Sequence, residues 1–157
     1  MKIFLSYRRD DSSDITGRIY DRLVQHFGDG NIFKDVDSIP LGADFRDHLD
    51  SAVSKCHFFL AIVGPDWLYA RDDDSTSYLN NPSDFVRIEL ESALKRDIPV
   101  IPILVRKATM PLGNTLPESL KPFIYRNGIS IRPDPDFHND MDRLMRAIEH
   151  HLPKNNL

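Results

Sequence analysis

The sequence predicts an α/β fold, a parallel sheet with helices on both faces. Three observations point there. Five strand-like segments alternate with helix-like ones along the chain. His57–Val63 (HFFLAIV) is apolar without polar alternation, as a strand covered on both faces should be. The 157 residues are enough for one sizeable core and too few for two ordinary domains.

Lys2–Tyr7 (KIFLSY) reads as the first strand. Ile15, Ile19, Leu23 and Phe27 then recur every four residues, an amphipathic helix, with Ser12, Ser13 and Asp14 as N-cap candidates and Gly28-Asp29-Gly30 as its stop. Asn31–Lys34 is a short second strand. Asp35–Asp44 is a loop punctuated by Pro40 and Gly42. Phe45, Leu49, Ala52, Val53 and Cys56 mark a second helix, followed by the strand His57–Val63. Gly64–Pro82 is a long polar loop, a length usually tied to mobility or function. Ser83–Arg96 is a third helix with Val86, Leu90, Ala93 and Leu94 facing the core. Pro99–Val105 is a fourth strand, with a bulge or an unpaired position expected at Pro102. Lys107–Phe123 is irregular and Ile129–Ile131 a weak fifth strand. Met141, Leu144, Met145, Ile148 and Leu152 form the last helix. The domain is read as residues 1–152, with 153–157 as a tail or the start of a linker.

Composition excludes several function classes. Apolar residues make up 41% and charged residues 28%, which is globular. The net charge of −4 argues against a dedicated nucleic-acid binder. The single cysteine, Cys56, forbids a disulfide framework and reads as a small buried hydrophobe. The six histidines show no HExxH spacing, and no metal is expected. No apolar run approaches a membrane span, and the first residues lack the apolar stretch of a signal peptide. A cytoplasmic protein with no membrane partner is the expectation.

Parallel α/β sheets bind ligands beyond the carboxyl ends of their strands, where the strand order reverses. In a flavodoxin-like order 2-1-3-4-5 that crevice lies past strands one and three. This directs attention to Tyr7–Asp11, to Asp35–Phe45 and to Gly64 onward. No GxGxxG follows the first strand and no GxxxxGK[ST] occurs anywhere, so a nucleotide would be held without a glycine cradle. A phosphoacceptor receiver domain shares the fold and would use Asp10-Asp11. It also needs an aspartate ending strand three and a lysine ending strand five, and the chain has neither.

Two features remain. Arg8-Arg9 follows the first strand, where a guanidinium can grip a phosphate bidentately; arginines there are also often simply solvated, and position alone does not separate the two. Glu89 belongs neither to the core stripe of the third helix nor to its outer stripe of Arg87, Glu91 and Lys95. Its helical neighbours are Phe85, Val86, Ser92 and Ala93. By periodicity alone it is an ordinary border glutamate. The alternative is a carboxylate beside an aromatic ring, facing the crevice.

Four ordered blocks, FLSYRRDDS, IFKDVDSIPLGADF, FFLAIVGPDW and SDFVRIELESALKRDIPVIPILV, resemble the TIR (Toll/interleukin receptor) domain of the bacterial type. The resemblance covers nearly the whole chain and weakens after about Arg106. It implies the doubly wound, five-stranded, flavodoxin-like sheet of order 2-1-3-4-5. It also implies that Ser38–Phe45 is the mobile loop such domains use in self-association. Bacterial, plant immune-receptor and animal axon-degeneration TIR domains cleave NAD+, using a glutamate on the third helix, often as WxxxE. The matching stretch here is Phe85 to Glu89, so the resemblance puts Glu89 in the catalytic place, with Phe85 where tryptophan is common.

Cleavage of NAD+ needs only one carboxylate. Nicotinamide is cationic at its ring nitrogen and leaves neutral, so no acid has to protonate it, unlike the ordinary glycosidase leaving group. One anion can bind the ribose hydroxyls and stabilise oxocarbenium charge. Asp35 is a second candidate carboxylate, although a turn role suits it too. By the resemblance, Arg8 and Arg9 lie near the phosphates or ribose, and Tyr7, Phe33, Leu41, Phe45 and Phe85 wall the pocket, with Trp67 a weaker candidate. Core packing explains Phe33 and Phe45 at least as well.

The expected function is thus an NAD+ glycohydrolase in immune or antiviral signalling, giving nicotinamide and ADP-ribose or a cyclic form. NAD+ would be its substrate, no cofactor its requirement, and a second copy of itself or another TIR domain its protein partner, with activity dependent on self-association. A non-catalytic TIR interaction module is the alternative from another class, and a nucleoside glycosidase a third. Fusion to a sensor in a longer chain is also expected.

Overall fold

The computed structural model describes residues 1–34, 39–68 and 77–151. Its sheet is built from five parallel strands: β1 (Ile3–Ser6), β2 (Ile32–Phe33), β3 (Phe58–Val63), β4 (Val100–Val105) and β5 (Ile129–Ile131), in the order β2-β1-β3-β4-β5. Among the described residues, α1 (Arg9–Phe27), α2 (Phe45–Ser54) and α3 (Phe85–Lys95) connect β1 through β4 in turn, and α4 (Phe137–His150) follows β5. This is the doubly wound order expected from the sequence.

Strand alternation divides the core into two layers. Side chains two apart along a strand share a face. Ile3 and Leu5 of β1 therefore join Phe58, Leu60 and Ile62 of β3 on the side packed by Ile19, Leu23, Met141 and Leu144 of α1 and α4. Phe4, Phe59, Ala61 and Val63 face the opposite layer, with Val53, Val86, Leu90 and Ala93 of α2 and α3. Phe4 and Phe59 stack at 5.4 Å between ring centroids. All six residues of β3 are buried, which is why its sequence shows no polar alternation.

Three local expectations are corrected or narrowed. First, α1 starts at Arg9 and not after the Ser12–Asp14 cap candidates. Asp10 and Asp11 lie in its first turn, where negative charge suits the helix dipole. Ser12, at φ −151° and ψ 24°, interrupts the helical geometry, so a short turn from Arg9 leads across a kink into the regular helix that follows. Second, of the bulge or unpaired position expected at Pro102, the structure has no bulge but an unpaired position on the β5 side. Pro102 pairs in register with Ala61, and pairing of β4 with β5 begins only at Ile103, so Pro102 lies where β4 has a neighbour on one side. Gly128 fits beside it because any Cβ there would come within 2.8 Å of the Pro102 carbonyl oxygen. Third, Lys107–Phe123 is not wholly irregular. It contains the 3-10 turn Gly113–Thr115 and most of a longer one, Glu118–Tyr125, which insert Leu116, Leu120 and Phe123 into the second layer.

Cys56 is buried just past α2, and burial pushes its thiol up to about 11, the behaviour of a packing residue and not of a nucleophile. Among the described residues no helix is long and apolar enough to cross a membrane.

Candidate active-site cleft

A cleft of about 400 Å³ opens beyond the carboxyl end of β1, between the first turn of α1 and the start of α3. One wall is Tyr7, Arg8, Arg9 and Asp10; the other is Tyr78, Asp84, Phe85, Val86 and Glu89, with Leu5 at the base. The volume is in the range of small-molecule sites.

The chain reaches this geometry through local chemistry. β1 ends at Ser6, and the next residues turn directly into α1. On the opposite wall, Asp84 caps α3: its Oδ2 accepts the Arg87 backbone N–H at 3.1 Å. Arg87 in turn donates to the Leu79 carbonyl at 3.1 Å and to Glu91 at 2.5 Å, and Glu91 also accepts from Ser119 at 2.9 Å. The start of α3 is thereby tied to the 3-10 turn Tyr78–Asn80. Glu89 lies one turn beyond Phe85 on the cleft side of this anchored helix, half-buried.

The two arginines differ sharply. Arg9 is exposed. Arg8 is buried, and its two Nη groups donate to the two carboxylate oxygens of Asp84 at 3.0 and 2.9 Å. Both side chains are only 7% exposed. The Arg8 guanidinium also lies 4.9 Å from the ring centroid of Tyr78, a cation–π contact. Its Nε is buried with no acceptor among the described residues.

Tyr7, Arg8, Arg9, Phe85 and Glu89 are therefore brought together. Other candidates are not in the cleft lining. Phe45 opens α2 and reaches the rim only through Phe85, their ring centroids 5.3 Å apart. Leu41 is fully exposed in the turn closed by the Ala43 N–H to Pro40 carbonyl bond at 3.0 Å, where Gly42 supplies φ +82°. Phe33 sits at the end of β2 beneath the Lys2 ammonium, 5.7 Å from its ring. Asp35 and Ser38 lie outside the described residues. Trp67 is buried against Phe123, 5.5 Å between ring centroids, and pins its loop to the core.

Asp84 and Tyr78 were not anticipated as site residues. An N-cap aspartate was legible in Asp84, one residue before an apolar helix, but not its partner 76 positions away. Tyr78 gave no signal.

Behind the cleft, Asp11 ties α1 to the loop after β3. Its Oδ1 accepts the Asp66 backbone N–H at 2.8 Å. Burial pushes the Asp11 carboxyl above the ordinary carboxylate range, opposed by backbone N–H bonds from Asp66 and Gly64. Among the described residues, no cluster of three or more His, Cys, Asp or Glu side chains is placed to hold a metal ion.

A family model described as the TIR domain matches residues 3–145. The chain belongs to the TIR family. Over 131 residues this TIR chain is 25% identical to a Drosophila melanogaster protein named NAD(+) hydrolase sarm1. The match covers 83% of the chain but only 9% of that relative's length. Solved structures share the fold, two of them as follows. One is the TIR domains of the activated Roq1 resistosome directly recognising the pathogen effector XopQ, at a TM-score of 0.65 and 15% identity, covering 94% of this chain and 98% of that one. The other is a metazoan TIR-STING receptor from C. gigas in complex with 2',3'-cGAMP, at 0.58 and 17%, covering 93% and 38%.

Proposed function

We propose that this TIR domain is an NAD+ glycohydrolase with Glu89 as its catalytic carboxylate. The observation that carries the reading is the position of Glu89: half-buried in the cleft at the carboxyl end of β1, one turn after an aromatic ring. The distant likeness to an NAD(+) hydrolase supports the same reading.

The chemistry follows from the charges. The bond between the ribose C1′ and the nicotinamide nitrogen breaks with its electron pair going to the ring, so nicotinamide leaves neutral. Glu89 binds the ribose hydroxyls and stabilises the positive charge that develops at C1′, in a site partly shielded from water. Water then adds at C1′ and loses a proton, giving ADP-ribose; attack by a group of the substrate itself would give a cyclic product instead. Phe85 offers a face for the nicotinamide ring, and Arg9 an exposed guanidinium for the diphosphate.

The test is nicotinamide release by protein clustered on beads, compared with Glu89→Ala. Loss in the variant supports the assignment, and equal release by both overturns it. Cytoplasmic immune signalling and activation by TIR–TIR association belong to the same proposal. A second reading, a non-catalytic association module, is favoured by the full exposure of Leu41 in the turn before α2. It wins if clustered protein never consumes NAD+ yet captures another TIR chain.

A further inference from the structure

We infer that Arg8 is a positioning residue, and that its ion pair with Asp84 sets the spacing between the two walls of the cleft. The inference rests on the reading of that cleft as an NAD+ site. It divides the adjacent arginines into different roles, which their sequence does not.

Bidentate recognition of a phosphate uses two parallel N–H groups of one guanidinium. Arg8 has already committed both Nη groups to Asp84, at 3.0 and 2.9 Å. Of its five N–H groups, the outer Nη–Nη fork is thus occupied by a carboxylate, and on the remaining edge the Nε–H is buried with no acceptor among the described residues. Tyr78 covers the guanidinium as well. Opening this pair to admit an anion would strand a buried carboxylate, and breaking one side of a buried pair is strongly unfavourable.

The pair joins the two elements that carry the site. Arg8 immediately precedes α1, beside Tyr7 and Arg9. Asp84 immediately precedes α3, beside Phe85 and one residue more than a turn before Glu89. A planar fork on a planar carboxylate allows little sliding or rotation. The distance from Glu89 to the opposite wall is thus fixed by a charged clamp and not by apolar packing alone.

Asp84→Asn isolates the clamp, because asparagine caps a helix about as well as aspartate and the Arg87 N–H keeps its acceptor. Arg8→Lys keeps the charge and loses the fork. With clustered protein, both variants should lower kcat for NAD+ by up to about 10²-fold, the cost of roughly 1 Å of misplacement, while KM stays near wild type. If Arg8 were instead an anion ligand, Asp84→Asn would free it. Binding of inorganic diphosphate, measured by calorimetry, would then tighten and KM would fall; either result overturns the inference, as does an unchanged kcat. Hydrogen exchange supplies a readout independent of turnover. In Asp84→Asn, amides at Asp11–Ser12 and at Ile88–Glu89 should lose protection together while those of α4 keep theirs. Unchanged protection at both walls overturns the inference even if NAD+ is cleaved. Coupled loss in a protein that never cleaves NAD+ removes the proposed function and leaves the clamp standing.

Discussion

The carboxylate of Asp11 fills the space that a side chain at position 64 would need. A Cβ on Gly64 would lie 2.3 Å from Asp11 Oδ2 and 2.6 Å from its carboxyl carbon. Gly64 is therefore required for close approach and not for an unusual backbone angle. Gly64→Ala forces Asp11 off the Asp66 N–H and should cost about 1–3 kcal/mol, the range for overpacking a buried site. Asp11→Ala should absorb part of that loss, so that the double variant is more stable than the sum of the singles, read by urea unfolding.

Asp140 makes part of the stability pH-dependent. It is buried at the start of α4 and accepts from the Arg132 backbone N–H and from two guanidinium nitrogens, each at 2.9 Å. The Arg132 side chain holds its carboxyl down at about 2, against an ordinary value of 3.8. A carboxylate depressed in the folded state stabilises the fold above its unfolded value, and that stability is lost as pH falls from 3.8 through about 2. After allowance for solvent screening of the half-exposed Arg132, the contribution should be on the order of 1–2 kcal/mol. Asp140→Asn should be less stable than wild type near neutral pH, with the gap closing toward pH 2 in parallel unfolding titrations.

Two consecutive residues after β4, Arg106 at φ +53° and Lys107 at φ +64°, occupy left-handed backbone without being glycine. The Arg106 guanidinium is held by the Asp11 carbonyl oxygen at 2.8 Å and by the Asp14 carboxylate. Left-handed geometry costs an ordinary residue roughly 1–2 kcal/mol. Lys107→Gly should therefore raise stability by about 0.5–1 kcal/mol, after the greater entropy of glycine in the unfolded chain is subtracted. Arg106→Gly should not help, because it also removes the guanidinium contacts. Thermal unfolding of both variants checks this.

For the proposed reaction, charge at position 89 matters more than shape. Glu89→Gln should lose about 10²–10³ in kcat for nicotinamide release, the scale seen when one charge-stabilising group is removed. Its melting temperature should stay near wild type, since the residue is only half-buried in a cleft wall. A Gln variant with near-normal kcat would remove the electrostatic role.

Much of the fold was legible because it depends on patterns that sequence states directly. The unbroken run from Phe58 to Val63 identified a strand buried on both sides, and the four-residue recurrence from Ile15 to Phe27 identified its covering helix. What was missed or left open depends on partners that sequence does not display. Pro102 left a bulge and an unpaired position both open because the site where β5 begins to pair is invisible in β4 itself. Ser12 looked like a cap because the turn before it, in which the loop after β3 anchors Asp11, does not show in the sequence pattern. Arg8 and Arg9 look identical in sequence; only the fold shows that one is buried against Asp84 and the other exposed.

The cleft walls come from Tyr7–Asp10 and from Tyr78–Glu89, and the pair that joins them closes a separation of 76 residues. Closing a loop of that length carries an entropy cost that the strand pairings and helix packing between the two walls offset. During synthesis the first wall leaves the ribosome long before the second exists. An amino-terminal fragment that stops before α3 carries the first wall and lacks a complete second one. A chain cut short anywhere before α3 thus lacks Phe85 and Glu89 and has no full second wall to complete the cleft.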